Sequence, residues 1–186
     1  DIKDELENIA KSGFSTIQTS VAQAKTNPNH KNNTWYWLYQ PDGFYFNNEN
    51  PIGTKEQLKD LVQAASKYGI KVVVDVVANH VDSDTRYVQQ ELCDKWNNNY
   101  HHDVQHQIDW CNRHDVTHGE IGMPDLNTES NYVQGIIHKY IQELKDIFGV
   151  AKVFTHPKPV ELLCNIIKIS CAKDATILDF FAGSGT

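Results

Sequence analysis

Residues 70–80 read Ile70-Lys71-Val72-Val73-Val74-Asp75-Val76-Val77-Ala78-Asn79-His80, and this stretch decides the fold. Its apolar run is β-branched and nearly continuous, the pattern of a parallel strand buried on both faces rather than of a half-exposed strand with clean alternation. Such a strand belongs in an α/β core. The run ends in Asp75, Asn79 and His80, and polar groups at the carboxyl end of a parallel strand stand where α/β barrels and open sheets hold their ligands. Asn79 and His80 point to opposite sides of an extended chain, so one strand end can serve two neighbouring pockets. Immediately upstream, Gly53-Thr54 opens a helix with Thr54 as N-cap and Gln57 three residues on, a capping-box pattern. Leu58, Leu61, Val62 and Ala65 form its apolar stripe and Gly69 ends it, which joins helix to strand with almost no loop.

Outward from this unit, residues 1–12 carry Ile2, Leu6, Ile9 and Ala10 at helical spacing, and Phe14 to Ser20 reads as a short strand. Thr26 to Asn33 is an Asn-rich loop with Pro28. Trp35-Tyr36-Trp37-Leu38-Tyr39-Gln40-Pro41 is a dense aromatic cluster. Aromatic faces beside polar edges suit a sugar, whose C–H patches stack while its hydroxyls need directed partners; the same rings could also simply cover a core edge. From Val81 to Met123 periodicity is lost in favour of Asn, His and Asp. A span of that length is too long for an ordinary connection and reads as a functional excursion. Its histidines include the spacings His102/His106 and His114/His118, which would suit zinc if each pair were helical. No apolar stripe fixes either pair, so the expectation is a solvated polar loop. Asn131 to Phe148 is amphipathic through Val133, Ile136, Ile137, Tyr140, Ile141, Leu144 and Ile147, with Gly149 as its end.

The chain has 186 residues and a formal net charge of −7, so nothing in it is built to attract a polyanion over a long range. Charge is uneven: residues 151–186 carry four Lys against three Asp or Glu, whereas the first 150 carry 13 basic against 21 acidic residues. No apolar run reaches the roughly 18 residues of a membrane span, and no signal peptide is legible at the charged start Asp1-Ile2-Lys3-Asp4. The cysteines Cys93, Cys111, Cys164 and Cys171 show no CxxC spacing, which leaves both free thiols and a Cys93–Cys111 disulfide open.

Asp75-Val76-Val77-Ala78-Asn79-His80 resembles the first signature region of the alpha-amylase family, glycoside hydrolase family 13. Gly13-Phe14 with Thr16-Ile17-Gln18 and Val21-Ala22-Gln23 is similar to that family's first barrel helix and second strand, so the likeness begins part-way into the fold. Tyr39-Gln40-Pro41 resembles the segment whose Tyr stacks on the sugar next to the scissile bond, and Tyr36 occupies a second platform position that is often Trp. Met123-Pro124-Asp125-Leu126-Asn127 resembles the segment that closes the inserted domain B. The resemblance implies an α/β chain, an incomplete (β/α)8 TIM barrel with inserted domain B: residues 1–80 from helix 1 to strand 3, 81–124 the insertion, 125–150 barrel helix 3. It implies Tyr36, Tyr39, Asp75 and His80 as α-glucan-binding residues and Asn79 with Asp125 as Ca²⁺ ligands. A further calcium ligand, expected after the third helix, is absent. Retaining hydrolysis needs two carboxyl groups about 5–5.5 Å apart, and no catalytic carboxylate carries over because the text changes after Phe148-Gly149-Val150. The expectation is a glucan-hydrolase relative without turnover.

The last 36 residues read differently. Pro157-Lys158-Pro159 opens a helix with Val160, Leu163, Ile166 and Ile167 on one face, and Thr176 to Phe181 is a strand running into Ala182-Gly183-Ser184-Gly185-Thr186. A strand feeding a Gly-rich turn lets backbone N–H groups approach a charged ligand. Lys158-Pro159-x-Glu161-Leu162 and Asp179-Phe180-Phe181-Ala182-Gly183-Ser184-Gly185-Thr186 resemble the N6-adenine or N4-cytosine DNA methyltransferases, including type III modification subunits. That resemblance implies the start of a Rossmann-like unit over 151–186, with Asp179, Phe181, Gly183 and Gly185 around S-adenosylmethionine and DNA as partner of a complete enzyme. The family's Asp-Pro-Pro-Tyr type motif is absent. Two partial families meeting near residues 149–153 without a linker imply a joined or truncated reading frame; the alternative has Ile177 to Phe181 supplying a fourth barrel strand. Location follows the family, secreted for an amylase and cytoplasmic for a methyltransferase, and the sequence sets no oligomeric state.

Overall fold

The computed structural model describes residues 1–31, 34–102, 106 and 108–149. Asp1–Gly149 forms one compact unit of the chain. The helix, strand and Gly-rich turn expected between Pro157 and Thr186, with Asp179, Phe181, Gly183 and Gly185, lie outside the described residues.

Helix α1 (Ile2–Lys11) is capped by the Asp1 carboxylate, which accepts from the Lys3 N–H at 3.1 Å. It leads through the left-handed Gly13 into strand β1 (Thr16–Thr19). Helix α2 (Lys55–Lys67) carries the capping box in full: Thr54 Oγ1 accepts from Gln57 N at 3.2 Å, and Gln57 Oε1 accepts from Thr54 N at 2.8 Å. Gly69, at φ 69°, turns α2 directly into strand β2 (Lys71–Val74). The two strands pair in parallel, with Ile17 opposite Val72 and Gln18 opposite Val73. Leu6, Leu61, Ala65 and Ile70 form a core between α1, α2 and one face of this sheet, joined by Ile17 and Val72.

Two sequence expectations change here. The strand stops at Val74 instead of running on through the 70–80 stretch, and it is half-exposed: Lys71 and Val73 are open to solvent, Val73 by 46 %. The reason is that α1 and α2 cover one face only, and among the described residues the sheet has two strands. Past Val74 the backbone is held by a side chain. Gln23, fully buried, accepts from Val77 N through Oε1 at 2.6 Å and donates from Nε2 to Val77 O at 2.9 Å. Its amide does what a neighbouring strand would do and carries the chain extended toward Asn79.

A second core gathers Phe44, Val81, Val88, Leu92, Leu126, Val133, Ile136, Tyr140 and Leu144. Its spine is helix α4 (Asn131–Phe148), capped by Ser130 and ended by Gly149 in the left-handed region, where a side chain would be strained. The excursion packs on α4 through Val81, Val88 and Leu92, the last in a short 3₁₀ turn at Gln90–Leu92, and it also contains helix α3 (Arg113–His118). Its two ends meet: His80 and Asp125 form an antiparallel bridge, closed by Leu126 N to Asn79 O at 2.8 Å. Cys93 and Cys111 are free thiols. No helix of the described residues is long and apolar enough to cross a membrane.

Candidate functional site

The carboxyl end of β2 collects four of the predicted residues. Asp75 lies two residues beyond Val73, on the sheet face that α1 and α2 leave uncovered. Its Oδ1 accepts from Gln18 Nε2 at 2.7 Å and its Oδ2 from the Tyr39 hydroxyl at 2.9 Å, so both oxygens are committed. The Asp75 carboxylate holds the Tyr39 hydroxyl proton and pushes that phenol up from its ordinary value. His80 Nε2 donates to the Tyr39 carbonyl at 3.0 Å, which fixes the tautomer and leaves Nδ1 as an acceptor. Burial holds the His80 imidazole below the usual histidine range. One aromatic segment, one strand and the strand's continuation are therefore tied into a single unit.

Tyr39 ends the 3₁₀ turn Trp35–Tyr39. Residues three apart eclipse in this helix type, so Tyr36 stands one turn above Tyr39 on the same side. Trp35 meets Tyr36 and Tyr39 edge-on at 6.0 and 6.5 Å, and Tyr36 meets Trp37 at 5.6 Å. Trp35 and Tyr36 remain exposed, Trp35 by 73 %. These rings form a ledge next to Asp75 and His80; they do not seal a core edge.

On the other side of the strand end, Asn79 Nδ2 donates to Asp125 Oδ1 at 2.9 Å. Asp125 is buried, and burial pushes its carboxyl up against the lowering effect of the hydrogen bond from His102. His102 Nδ1 contacts Asp125 Oδ2 at 2.5 Å and Nε2 contacts Glu129 Oε2 at 2.8 Å. Burial opposes charge on His102, but two carboxylates outweigh it and the imidazole titrates above its ordinary value.

The excursion is thus solvated at His106 and His114 but not at His101 and His102. His101 is fully buried between the carbonyls of Leu92 and Asp125, and His102 is nearly so. His114 and His118 share helix α3, their rings stacked at 4.4 Å. Sequence reading fails there because α3 is fixed by polar groups. Asn112 accepts from His114 N, and buried Asp115 accepts from Asp109 N at 3.2 Å and bonds His106 at 2.7 Å. It also misses Gln18, Gln23 and Glu129; the one local signal was a glutamine on the strand beside the site strand.

A further polar group lies under the aromatic ledge, beside a cavity of about 580 Å³ lined by Lys25, His30, Trp35 and Trp37 among others. Asp42 and Asp82 are fully buried, and burial, with Asp82 adding to it, pushes the Asp42 carboxyl up. Lys25 Nζ is buried without a hydrogen-bond partner among the described residues. Burial lowers the Lys25 ammonium to about 8 despite the attraction of Asp42 and Asp82.

The family model for DNA methylase matches residues 7–186. An alpha-amylase from Clostridium acetobutylicum is 35 % identical over 164 residues, which cover 86 % of this chain and 21 % of that protein. The Mod subunit of the type III restriction-modification enzyme EcoPI from Escherichia phage P1 is 57 % identical over 44 residues, 24 % of this chain and 7 % of the subunit. Among solved structures, the alpha-amylase from Geobacillus thermoleovorans complexed with acarbose superposes with a TM-score of 0.64 at 25 % identity, covering 80 % of this chain and 31 % of that one. The chain therefore spans about a fifth of the length of the curated amylase it matches.

Proposed function

This chain belongs to the DNA methylase family, whose model matches residues 7–186, and is also similar to an alpha-amylase over 86 % of its length; on the amylase similarity we propose that residues 1–149 bind α-glucan without cleaving it. The observation that carries the reading is the hydrogen-bonded set Gln18–Asp75–Tyr39–His80 at the end of β2, beside an exposed aromatic ledge. A glucose ring stacks on Tyr39 or Tyr36, while His80 and Asp75 orient its hydroxyls. Retaining glycoside hydrolysis needs a nucleophilic carboxylate and a carboxylic acid about 5–5.5 Å apart. Among the described residues this rim has one carboxylate, Asp75, and its two oxygens already serve Gln18 and Tyr39. This commitment of Asp75 supports binding without turnover.

In this reading residues 1–80 are barrel segments, 81–124 a domain B-like insertion and 125–150 a barrel helix. Asn79 and Asp125 fit calcium in donor chemistry: a buried carboxylate that a divalent cation would keep ionised, facing an amide whose oxygen takes the nitrogen's place by a flip. The ion would tie the strand end to the exit of the insertion. Calorimetric titration with maltooligosaccharide tests the glucan reading: saturable binding is expected, weakened at least about tenfold in Tyr39→Ala or His80→Ala, and a flat titration rejects it.

A second reading is favoured by the DNA methylase match and the modification-subunit identity. In it residues 151–186 begin a Rossmann-like unit whose Asp179, Phe181, Gly183 and Gly185 hold S-adenosylmethionine, with DNA as the partner of the complete enzyme. Tritiated S-adenosylmethionine retained by the chain, and lost in Gly183→Val, would support it; no retention would reject it.

A further inference from the structure

Beyond the glucan and calcium readings, the exit of the excursion brings together a donor set of another kind. His102, His118 and Glu129 each place a ligand atom within 4.8 Å of the others. The His102 and His118 rings lie 4.4 Å apart, tilted by 49°. Three separate segments supply these groups: the excursion's middle, the end of α3 and the turn before α4.

The ring nitrogens are already sorted. His102 Nδ1 is committed to Asp125 Oδ2, so Nε2 is the atom facing Glu129. The Thr117 hydroxyl has one proton, directed at the carbonyls of Arg113 and His114 at 3.0 and 3.1 Å. Its oxygen therefore accepts from His118 Nδ1–H at 2.7 Å, which leaves the His118 lone pair on Nε2. Two imidazole Nε2 atoms and one carboxylate remain. A carboxylate behind the non-ligating nitrogen of His102 is the arrangement that orients and strengthens a metal-binding histidine.

We propose that His102, His118 and Glu129 bind one Zn²⁺-class transition ion, with Asp125 as the positioning residue for His102. Two nitrogens and one carboxylate select a borderline ion over Ca²⁺ or Mg²⁺, which prefer oxygen alone, and three protein ligands leave a fourth position for water. Bonds of about 2 Å imply ligand atoms about 3.3 Å apart in a tetrahedron. Rotation of Glu129, whose side chain is 69 % exposed, is enough to open its 2.8 Å contact to that spacing. The ion displaces the proton that His102 Nε2 now shares with Glu129, and it ties α3 to the entry of α4.

The test uses the 186-residue chain, stripped with chelator, kept in saturating Ca²⁺ and titrated with Zn²⁺ alone. One equivalent is expected to bind, with Co²⁺ giving the visible absorption of a tetrahedral nitrogen–oxygen site. His118→Ala and Glu129→Gln should each weaken the ion at least about tenfold. Glu129→Gln changes an exposed side chain, so folding is not at stake. His114→Ala, which removes the ring stacked on His118 but no ligand, should stay within about threefold. Absence of stoichiometric binding, binding unmoved by His118→Ala and Glu129→Gln, or equal loss in all three variants would overturn the proposal, and none of these outcomes bears on glucan binding.

Discussion

Replacing Gln23 by Leu tests the local architecture of the site most sharply. Gln23 is fully buried, and its amide makes the two bonds that hold the Val77 backbone beyond the end of β2, at 2.6 and 2.9 Å. Leu is close in volume, so little cavity is created, but it can neither accept nor donate. Two net hydrogen bonds are worth about 0.5–1.5 kcal/mol each, and a backbone group left partly buried without a partner costs about 1–3 kcal/mol more. Val77 is half-buried and water recovers part of this, which gives an expected loss of about 2–4 kcal/mol. With a urea dependence of about 1–3 kcal/mol per molar for a unit this size, the unfolding midpoint should fall by about 1–2 M. Tryptophan fluorescence during urea titration reads it directly. A midpoint shift below about 0.3 M at unchanged slope would refute the idea that a side chain stands in for a neighbouring strand.

Lys25 should oppose stability at neutral pH. Its ammonium titrates at about 8 in the folded chain against 10.5 when exposed, so the cost is fully present below pH 8 and is relieved as pH rises toward 10.5. Lys25→Met is therefore expected to raise stability by about 1–3 kcal/mol at pH 7, with the gain vanishing near pH 10.5, measured by urea unfolding at both pH values. Under the calcium reading, Ca²⁺ at a hundred times its Kd should stabilise the wild type by about 2.7 kcal/mol, and Asp125→Asn should abolish that increment in thermal unfolding. A wild-type Tm that does not respond to chelator would sink this reading. Tyr39→Phe removes the hydroxyl that meets Asp75 Oδ2 but keeps the ring. It should lower maltooligosaccharide affinity only about two- to fivefold, far less than Tyr39→Ala, because stacking survives; equal losses would contradict a stacking role.

Local signals carried the helices and their ends. The Thr54/Gln57 capping box, the α4 stripe and Gly149 are short-range features, and the structure has them at the expected residues. The gathering of Tyr39, Asp75, Asn79, His80 and Asp125 was legible only through whole phrases such as Asp75-Val76-Val77-Ala78-Asn79-His80, since spacing says nothing about contacts across dozens of residues. Exposure of β2 is not legible in the sequence because burial depends on how many strands and helices lie beside it, and Val73 carries no mark of that number. Helix α3 was invisible to hydrophobic periodicity because Asp115, His106 and the Asn112 cap hold it in place of an apolar face. Gln18 and Gln23 look like ordinary strand-edge glutamines; their partners Asp75 and Val77 lie more than fifty residues away.

One calorimetric run tests both whether the proposed rim grips glucan and whether it leaves it uncut. Maltoheptaose titrated into the purified 186-residue chain should give a saturable, roughly millimolar isotherm, about −4 kcal/mol, that is lost in His80→Ala and returns to baseline after each injection. Sustained heat from turnover that disappears when a single carboxylate such as Asp75 is changed to Asn, or no binding heat at all, would contradict the account.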